Sequence, residues 1–249
     1  MRTGKKPVLY LRNKIMKFDI IFEDDHILVC YKPAGVPTQT SKIGQQDMVS
    51  LLKNYLYKKQ TEKKEPYVAV VHRLDQPVEG LLVFAKTPFA AKELSAQVQR
   101  GIHFGKHYKA VLLGVPKQAK GTLENYLVKD GRTNTSRVCE KTERDAKKAV
   151  LYYEVLETGK DAHDEKVRDI SLVNIKLDTG RHHQIRVQMA HMGHPIWGDV
   201  KYNVTSIQGK KYSQIALCAY RLEFTHPVTK KRLEFQIEPE GEGFLQLSK

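Results

Sequence analysis

From Phe18 onward the chain is a succession of short apolar runs, each closed by a turn signal, and this restricts it to a fold built mainly of strands. Asp19-Ile20-Ile21-Phe22 and Ile27-Leu28-Val29-Cys30-Tyr31, followed by Lys32-Pro33-Ala34-Gly35, predict two strands and a turn. Tyr67 to Val71 and Leu81 to Ala85 predict two more, on either side of a loop from His72 to Gly80. Further strands are expected at Tyr108 to Leu113, Ala149 to Leu156, Ser171 to Leu177, Ile215 to Phe224 and Arg232 to Ile237, with the polar stretch Gly159 to Asp169 as a hairpin loop. Three segments break the pattern. Met48 to Tyr57 places Val49, Leu51, Leu52, Tyr55 and Leu56 at helical spacing and runs into a charged linker, Lys58 to Glu65. Pro88 to Arg100 predicts a helix opened by proline and closed by Gly101. Arg181 to Met192 predicts a third, with Thr179 as its cap, Gly193 past its end and Pro195 beyond. The expected class is α+β, a single domain over residues 18–249 whose strand-rich, mostly antiparallel sheet is flanked by helices and loops.

A chain of 249 residues can bury roughly 70–75% of its unfolded surface, so no disulfide or metal staple is needed. Cys30, Cys139 and Cys218 are far apart and form no paired motif, which points to a reducing compartment, the cytoplasm. No apolar run approaches the roughly 18–20 residues of a membrane span, and Met1 to Lys17 lacks the apolar centre of a secretory signal. That stretch, with Arg2, Lys5, Lys6, Arg12, Lys14 and Lys17, reads as a basic tail of residues 1–17. Lys plus Arg exceeds Asp plus Glu by 42 to 28, a net charge of +14 that favours a polyanionic partner such as RNA.

The sequence contains no phosphate-binding G-x-x-x-x-G-K-[ST] loop, no G-x-G-x-x-G and no G-x-S-x-G. The most unusual polar cluster is His72-Arg73-Leu74-Asp75, set between two apolar runs and followed by Gln76-Pro77-Val78-Glu79-Gly80. An aspartate in a turn most often accepts local main-chain N–H groups. At the rim of a core, however, a carboxylate needs a nearby cation, and such placement is typical of a nucleophile or an acid/base group. A second cluster runs from Leu177 through Asp178, Gly180, Arg181, His182, His183, Gln184, Ile185 and Arg186 to Gln188, and continues in His194-Pro195-Ile196-Trp197-Gly198-Asp199. Arg181 and Arg186 cannot point the same way from a regular helix. His182, His183, His191 and His194 come without a cysteine or an H-E-x-x-H pattern, so packing and RNA-facing roles are expected before zinc.

Taken in order, Lys32-Pro33-Ala34-Gly35, His72-Arg73-Leu74-Asp75 with Gly80-Leu81-Leu82-Val83-Phe84-Ala85-Lys86, Tyr108-Lys109, and Gly180-Arg181-x-His183-Gln184-Ile185-Arg186 with Pro195-Ile196-x-Gly198-Asp199 resemble the RluA-type pseudouridine synthases. The resemblance runs from about Phe18 to the C-terminus and implies a pseudouridine synthase catalytic domain acting on structured RNA, ribosomal or transfer. By it, Asp75 is the nucleophile, attacking a uridine at the ribose C1′ or at the uracil ring. Tyr108 would stack on the uracil and assist removal of the C5 proton, and Arg186 would be the cation paired with Asp75. Arg73 would fill the gap left by the extruded nucleotide, with His72, Leu74, Ile185 and Arg181 completing the substrate-binding set. No cofactor and no metal are implied, and neither an obligatory protein partner nor a separate N-terminal RNA-binding domain is expected; the protein is expected to be a monomer. The chain departs from the family pattern at Pro77, Val78 and Glu79, where small hydroxyl residues are usual, at His182 for threonine, and at Gln188 for histidine. A non-catalytic RNA-binding or folding factor would predict damage to this set, and a metal-dependent nuclease would need clustered carboxylates.

Overall fold

The computed structural model describes residues 18–62, 64–161, 167–203 and 214–247; the basic tail at 1–17 lies outside them. In chain order the elements are β1 (Asp19–Glu23), β2 (Ile27–Lys32), α1 (Met48–Lys59), β3 (Ala69–Val70), β4 (Glu79–Ala85), α2 (Pro88–Arg100), β5 (Phe104–Leu113), β6 (Lys120–Asp130), β7 (Thr135–Cys139), β8 (Lys147–Asp161), β9 (Arg168–Leu177), α3 (Gln184–His191), β10 (Leu217–Thr225) and β11 (Arg232–Gln236). The class is α+β with a mostly antiparallel sheet. The chain divides into two compact units, Met1–Lys106 with Ala219–Glu238, and His107–Cys218 with Pro239–Lys249.

In the first unit the strand order is β1-β2-β4-β10, with β3 on β4 and β11 on β10. Every residue of β2 and of β4 is buried. Such strands read as unbroken apolar runs because both faces must be covered. Helix α1 contributes Met48, Leu52 and Leu56, one every four residues, to the interior. Its N-terminus is a capping box in which the Asp47 carboxylate accepts from the Ser50 N–H and the Ser50 hydroxyl accepts from the Asp47 N–H. Helix α2 has the predicted bounds, with Thr87 as cap, proline in the first turn and Gly101 left-handed at its end. Strand β4 begins where Gly80, at φ +133°, lets the backbone pass Ala219 so closely that a Cβ would lie 2.5 Å from the Ala219 carbonyl oxygen.

The second unit is the antiparallel series β5-β9-β8-β6-β7. The predicted hairpin between β8 and β9 is present, in register to Asp161 opposite Arg168, with residues 162–166 outside the described set. A bulge between Val155 and Glu157 leaves Leu156 exposed. After α3 the chain returns to the edge of β5, where Leu113 N–H donates to the Pro195 carbonyl at 2.9 Å and Trp197 N–H to the Val111 carbonyl at 2.8 Å. The Trp197 indole is buried and donates to Asp161 Oδ2 at 2.9 Å.

Three sequence expectations are corrected. The hairpin of β6 and β7, missing from the predicted strands, has charged or polar residues on both faces, and only Leu127 and Ser136 are buried along it, so no apolar alternation marks it. Tyr67 to Val71 shrinks to the two residues of β3. Helix α3 starts at Gln184 instead of Arg181, and Thr179 is not its cap. The Thr179 hydroxyl instead accepts from Val150 N–H at 2.9 Å and donates to Gln184 Oε1 at 2.8 Å, while that same Oε1 accepts from Arg181 N–H at 2.9 Å. This knot holds residues 179–183 in a loop, and His183 enters the helix in a left-handed conformation at φ +53°.

Candidate active site

Asp75 lies in the loop between β3 and β4 and is half-buried, between an exposed Arg73 and an exposed Gln76. Its own main chain closes a turn, since the Asp75 carbonyl accepts from Val78 N–H at 3.0 Å. The residues on either side are gripped by the segment that follows β2. The Leu74 N–H donates to Thr38 Oγ1 at 3.1 Å, and the Thr38 hydroxyl donates to the Leu74 carbonyl at 3.0 Å. On the other side the Gln76 carbonyl accepts from Gly35 N–H at 2.8 Å, and the Gln76 amide donates to the Gly35 carbonyl at 2.9 Å. His72 packs edge-on against Phe104 with ring centroids 5.2 Å apart, and its Nε2 accepts from Val83 N–H at 3.3 Å. Burial of that ring pulls its pKa down to about 3, so the imidazole is neutral, with a buried Nδ1 that has no hydrogen-bond partner among the described residues.

Lys32, the last residue of β2, has no exposed surface. Its ammonium donates to the carbonyls of Val36 at 2.7 Å, Pro33 at 3.0 Å and Gln76 at 3.1 Å, fastening the turn after β2 to the loop of Asp75. Burial lowers its pKa from 10.5 to about 7, against the opposing charges of Asp75 and Glu79. Glu79 is itself buried and accepts from the Tyr31 hydroxyl at 2.6 Å. Lys32 is thus a cation whose proton the Asp75 charge helps to hold. Between pH 7 and 10.5 the unfolded chain retains a lysine proton that the folded chain has released, so unfolding takes up a proton and stability rises with pH across that window. The difference in unfolding free energy between the wild type and Lys32→Met should therefore move in favour of the wild type from pH 7 to pH 9 in urea titrations; parallel pH profiles would contradict a buried lysine that titrates there.

Arg186, on α3, is buried and forks onto Asp199, Nε to Oδ2 at 2.7 Å and Nη2 to Oδ1 at 2.8 Å. Its guanidinium lies over the Tyr202 ring, 5.1 Å from the centroid. The Tyr202 hydroxyl accepts from Ser136 N–H at 2.9 Å, which leaves its own proton for His183 Nδ1 at 2.6 Å. Burial, then the charges of Arg186, His182, Lys201 and Lys129, hold His183 at a pKa of about 3. The left-handed backbone of His183 is held by that bond and by the His182 ring stacked at 3.7 Å. Gln188, the residue that departs from the family pattern, donates to Asn125 Oδ1 at 2.8 Å and the Leu123 carbonyl at 3.1 Å, a packing role on β6.

The structure brings His72, Arg73, Leu74 and Asp75 together on one loop of the first unit. Tyr108, Arg181, Ile185 and Arg186 belong to the second. Tyr108 is buried on β5 opposite Ile175 of β9, and Ile185 is buried on α3. Arg181 is exposed, its Nε donating to the Lys148 carbonyl at 2.8 Å, whereas Arg186 is buried; the two differ because Arg181 lies in the loop before α3, so the helical spacing expected between them does not apply. Among the described residues no group of three or more His, Cys, Asp or Glu side chains is placed to hold a metal ion. Sequence reasoning assigned no role to Lys32, Thr38, Asp199 or Tyr202. Lys32 and Asp199 stand within the motifs that carry the family resemblance, which was the available signal for them, whereas nothing marks Thr38 or Tyr202.

Residues 26–191 match the family model described as RNA pseudouridylate synthase. An uncharacterized RNA pseudouridine synthase of Bacillus subtilis is 35% identical over 86% of this chain, and the chain spans 66% of that relative's length. The ribosomal large subunit pseudouridine synthase D of Pseudomonas aeruginosa is 35% identical over 93% of the chain, which spans 71% of it. Among solved structures, human RNA pseudouridylate synthase domain containing 1 superposes with a TM-score of 0.72 at 24% identity, over 93% of this chain and 86% of that one, a likeness of fold. With the family model covering most of the residues that build both the Asp75 loop and helix α3, the chain belongs to the RNA pseudouridylate synthase family.

Proposed function

We propose that this protein isomerises uridine to pseudouridine in structured RNA, ribosomal or transfer, with Asp75 as the nucleophile. The observation that carries the proposal is the loop itself: Asp75 is the one carboxylate between His72 and Val78, its neighbours Leu74 and Gln76 are held by hydrogen bonds to Thr38 and Gly35, and a buried lysine lies within its electrostatic reach. The reaction breaks the bond between C1′ and N1, forms one between C1′ and C5, removes the C5 proton and protonates N1. Substrate and product have the same composition, so the stoichiometry asks for no co-substrate or redox partner. Attack by a carboxylate divides the rearrangement into two displacements with a covalent intermediate. Tyr108 stacks on the uracil and assists in removing the C5 proton, and Arg186 supplies the charge that keeps Asp75 ionised. Because a stacked base hides its glycosidic bond, the target nucleotide must be flipped, and exposed Arg73 occupies the space it leaves. Ile185, His72, Leu74 and Arg181 shape the surroundings.

Mapping pseudouridines in total RNA from cells with and without the protein tests this reading, since at least one site should disappear with it. An unchanged map, with RNA still bound, would support a non-catalytic binding factor instead. With +14 net charge, affinity should come largely from Lys and Arg on phosphates, so the binding constant for the RNA that carries the mapped site should fall steeply and log-linearly with salt. A flat salt dependence in filter binding would contradict this.

A further inference from the structure

Thr38 lies in the turn between β2 and α1, outside the motifs that mark the family, yet its single hydroxyl serves both main-chain polar groups of Leu74. It accepts from the Leu74 N–H and donates to the Leu74 carbonyl, at 3.1 Å and 3.0 Å. Thr38 is 3% exposed and Leu74 7%, so water has little access to replace the hydroxyl. Thr38 is itself held from both sides by the start of α1. The Pro37 carbonyl accepts from Met48 N–H at 3.0 Å, and Thr40 N–H donates at 2.8 Å to Oδ2 of Asp47, the residue that caps the helix. A continuous set of bonds therefore runs from the rigid first turn of α1 through Thr38 to the residue before Asp75.

The two groups that Thr38 holds belong to successive peptide planes. The N–H lies in the plane between Arg73 and Leu74, and the carbonyl lies in the plane between Leu74 and Asp75. Fixing both planes fixes the backbone torsions of Leu74, and the second plane also sets the direction from which Asp75 leaves the chain. We propose that Thr38 is a positioning residue for Asp75, its hydroxyl setting the orientation from which the carboxylate attacks. The inference rests on Asp75 being the nucleophile. Loss of the hydroxyl leaves a buried donor and a buried acceptor unpaired, and the loop must shift to rehydrate them. Misplacement of a reacting group by about 1 Å costs on the order of a hundredfold in rate.

The test uses the full chain and an RNA substrate that it modifies. Thr38→Val keeps the shape of the side chain and removes both bonds. It is expected to lower kcat about 10- to 100-fold per folded molecule, while KM for the RNA stays within about twofold. Thr38→Ser restores the hydroxyl and should recover most of kcat. A merely structural role would lower the folded fraction and leave kcat per folded molecule unchanged, which would overturn the proposal, as would a change confined to KM or a failure of serine to rescue. Should Thr38→Val not fold, Thr38→Cys puts a weak donor in the same place and is expected to give an intermediate kcat; wild-type kcat in that variant would overturn the proposal. An inactive Asp75→Asn measured alongside keeps the two readings separate. If Asp75→Asn is active, the nucleophile assignment fails; if it is inactive and Thr38→Val is fully active, only the role of Thr38 fails.

Discussion

Asp75→Ala and Asp75→Asn are expected to abolish pseudouridine formation, by roughly four orders of magnitude or more, with little change in fold or RNA affinity. The separation of activity from stability follows from how the loop is built. Its position depends on bonds to the main chain of Leu74 and Gln76 from Thr38, Gly35 and Lys32, and none of these uses the Asp75 side chain. Removing the carboxylate also takes away one of the charges that holds the Lys32 proton, so the window in which Lys32 titrates should move to lower pH in the variant. Tritium release from C5-labelled RNA measures the chemistry, and filter binding at fixed salt measures affinity. More than a few per cent of the wild-type rate in Asp75→Ala would remove Asp75 from the role of nucleophile.

Arg186→Lys should lose at least about a hundredfold in activity although it preserves the charge. The guanidinium meets both oxygens of Asp199 at once and lies over Tyr202, and an ammonium on a flexible stem cannot reproduce that planar arrangement. Stability should fall as well, since breaking a buried pair from one side costs about 3–5 kcal/mol when a charge is left behind, and lysine should recover part of that. Asp199→Asn provides the comparison. It leaves Arg186 charged but removes half of its anchor, so it should reduce activity less than Arg186→Lys while costing comparable stability. Activities that simply follow the stabilities of the two variants would make Arg186 a structural residue.

The elements that could be read from the chain are those whose residues advertise their burial. β2 and β4 are continuous apolar runs, and α2 carries proline, a threonine cap and a terminal glycine at its ends. The β6–β7 hairpin offered no such pattern, because it meets the core at Leu127, against Ala149 and Val187, and is polar along most of its length. The start of α3 was misplaced for a different reason. Thr179 is a good capping residue by type, but its hydroxyl is already engaged by Val150 and Gln184. At the site, Asp75 and Arg186 stood out through their motifs, and Lys32 and Asp199 stood in motifs too, but their roles as holding partners could not be read there. Lys32 looks like an ordinary surface lysine until the three carbonyls around it are seen, and Asp199 lies thirteen residues from the arginine it anchors. Such pairings depend on where the chain returns in space, and local composition carries no record of that.

Apart from the Gln76 amide, the bonds that grip the Asp75 loop land on its backbone atoms, and backbone atoms are the same whatever residue carries them. The exposed Arg73 side chain takes no part in those bonds and can change without displacing the carboxylate two residues on, whereas the Gln76 side chain belongs to the grip through the Gly35 carbonyl. With Asp75 as the proposed nucleophile, a loop of this kind separates the placing of the reacting group from the identity of the exposed residue at position 73, so substitutions there should alter the choice of RNA before they alter the chemistry.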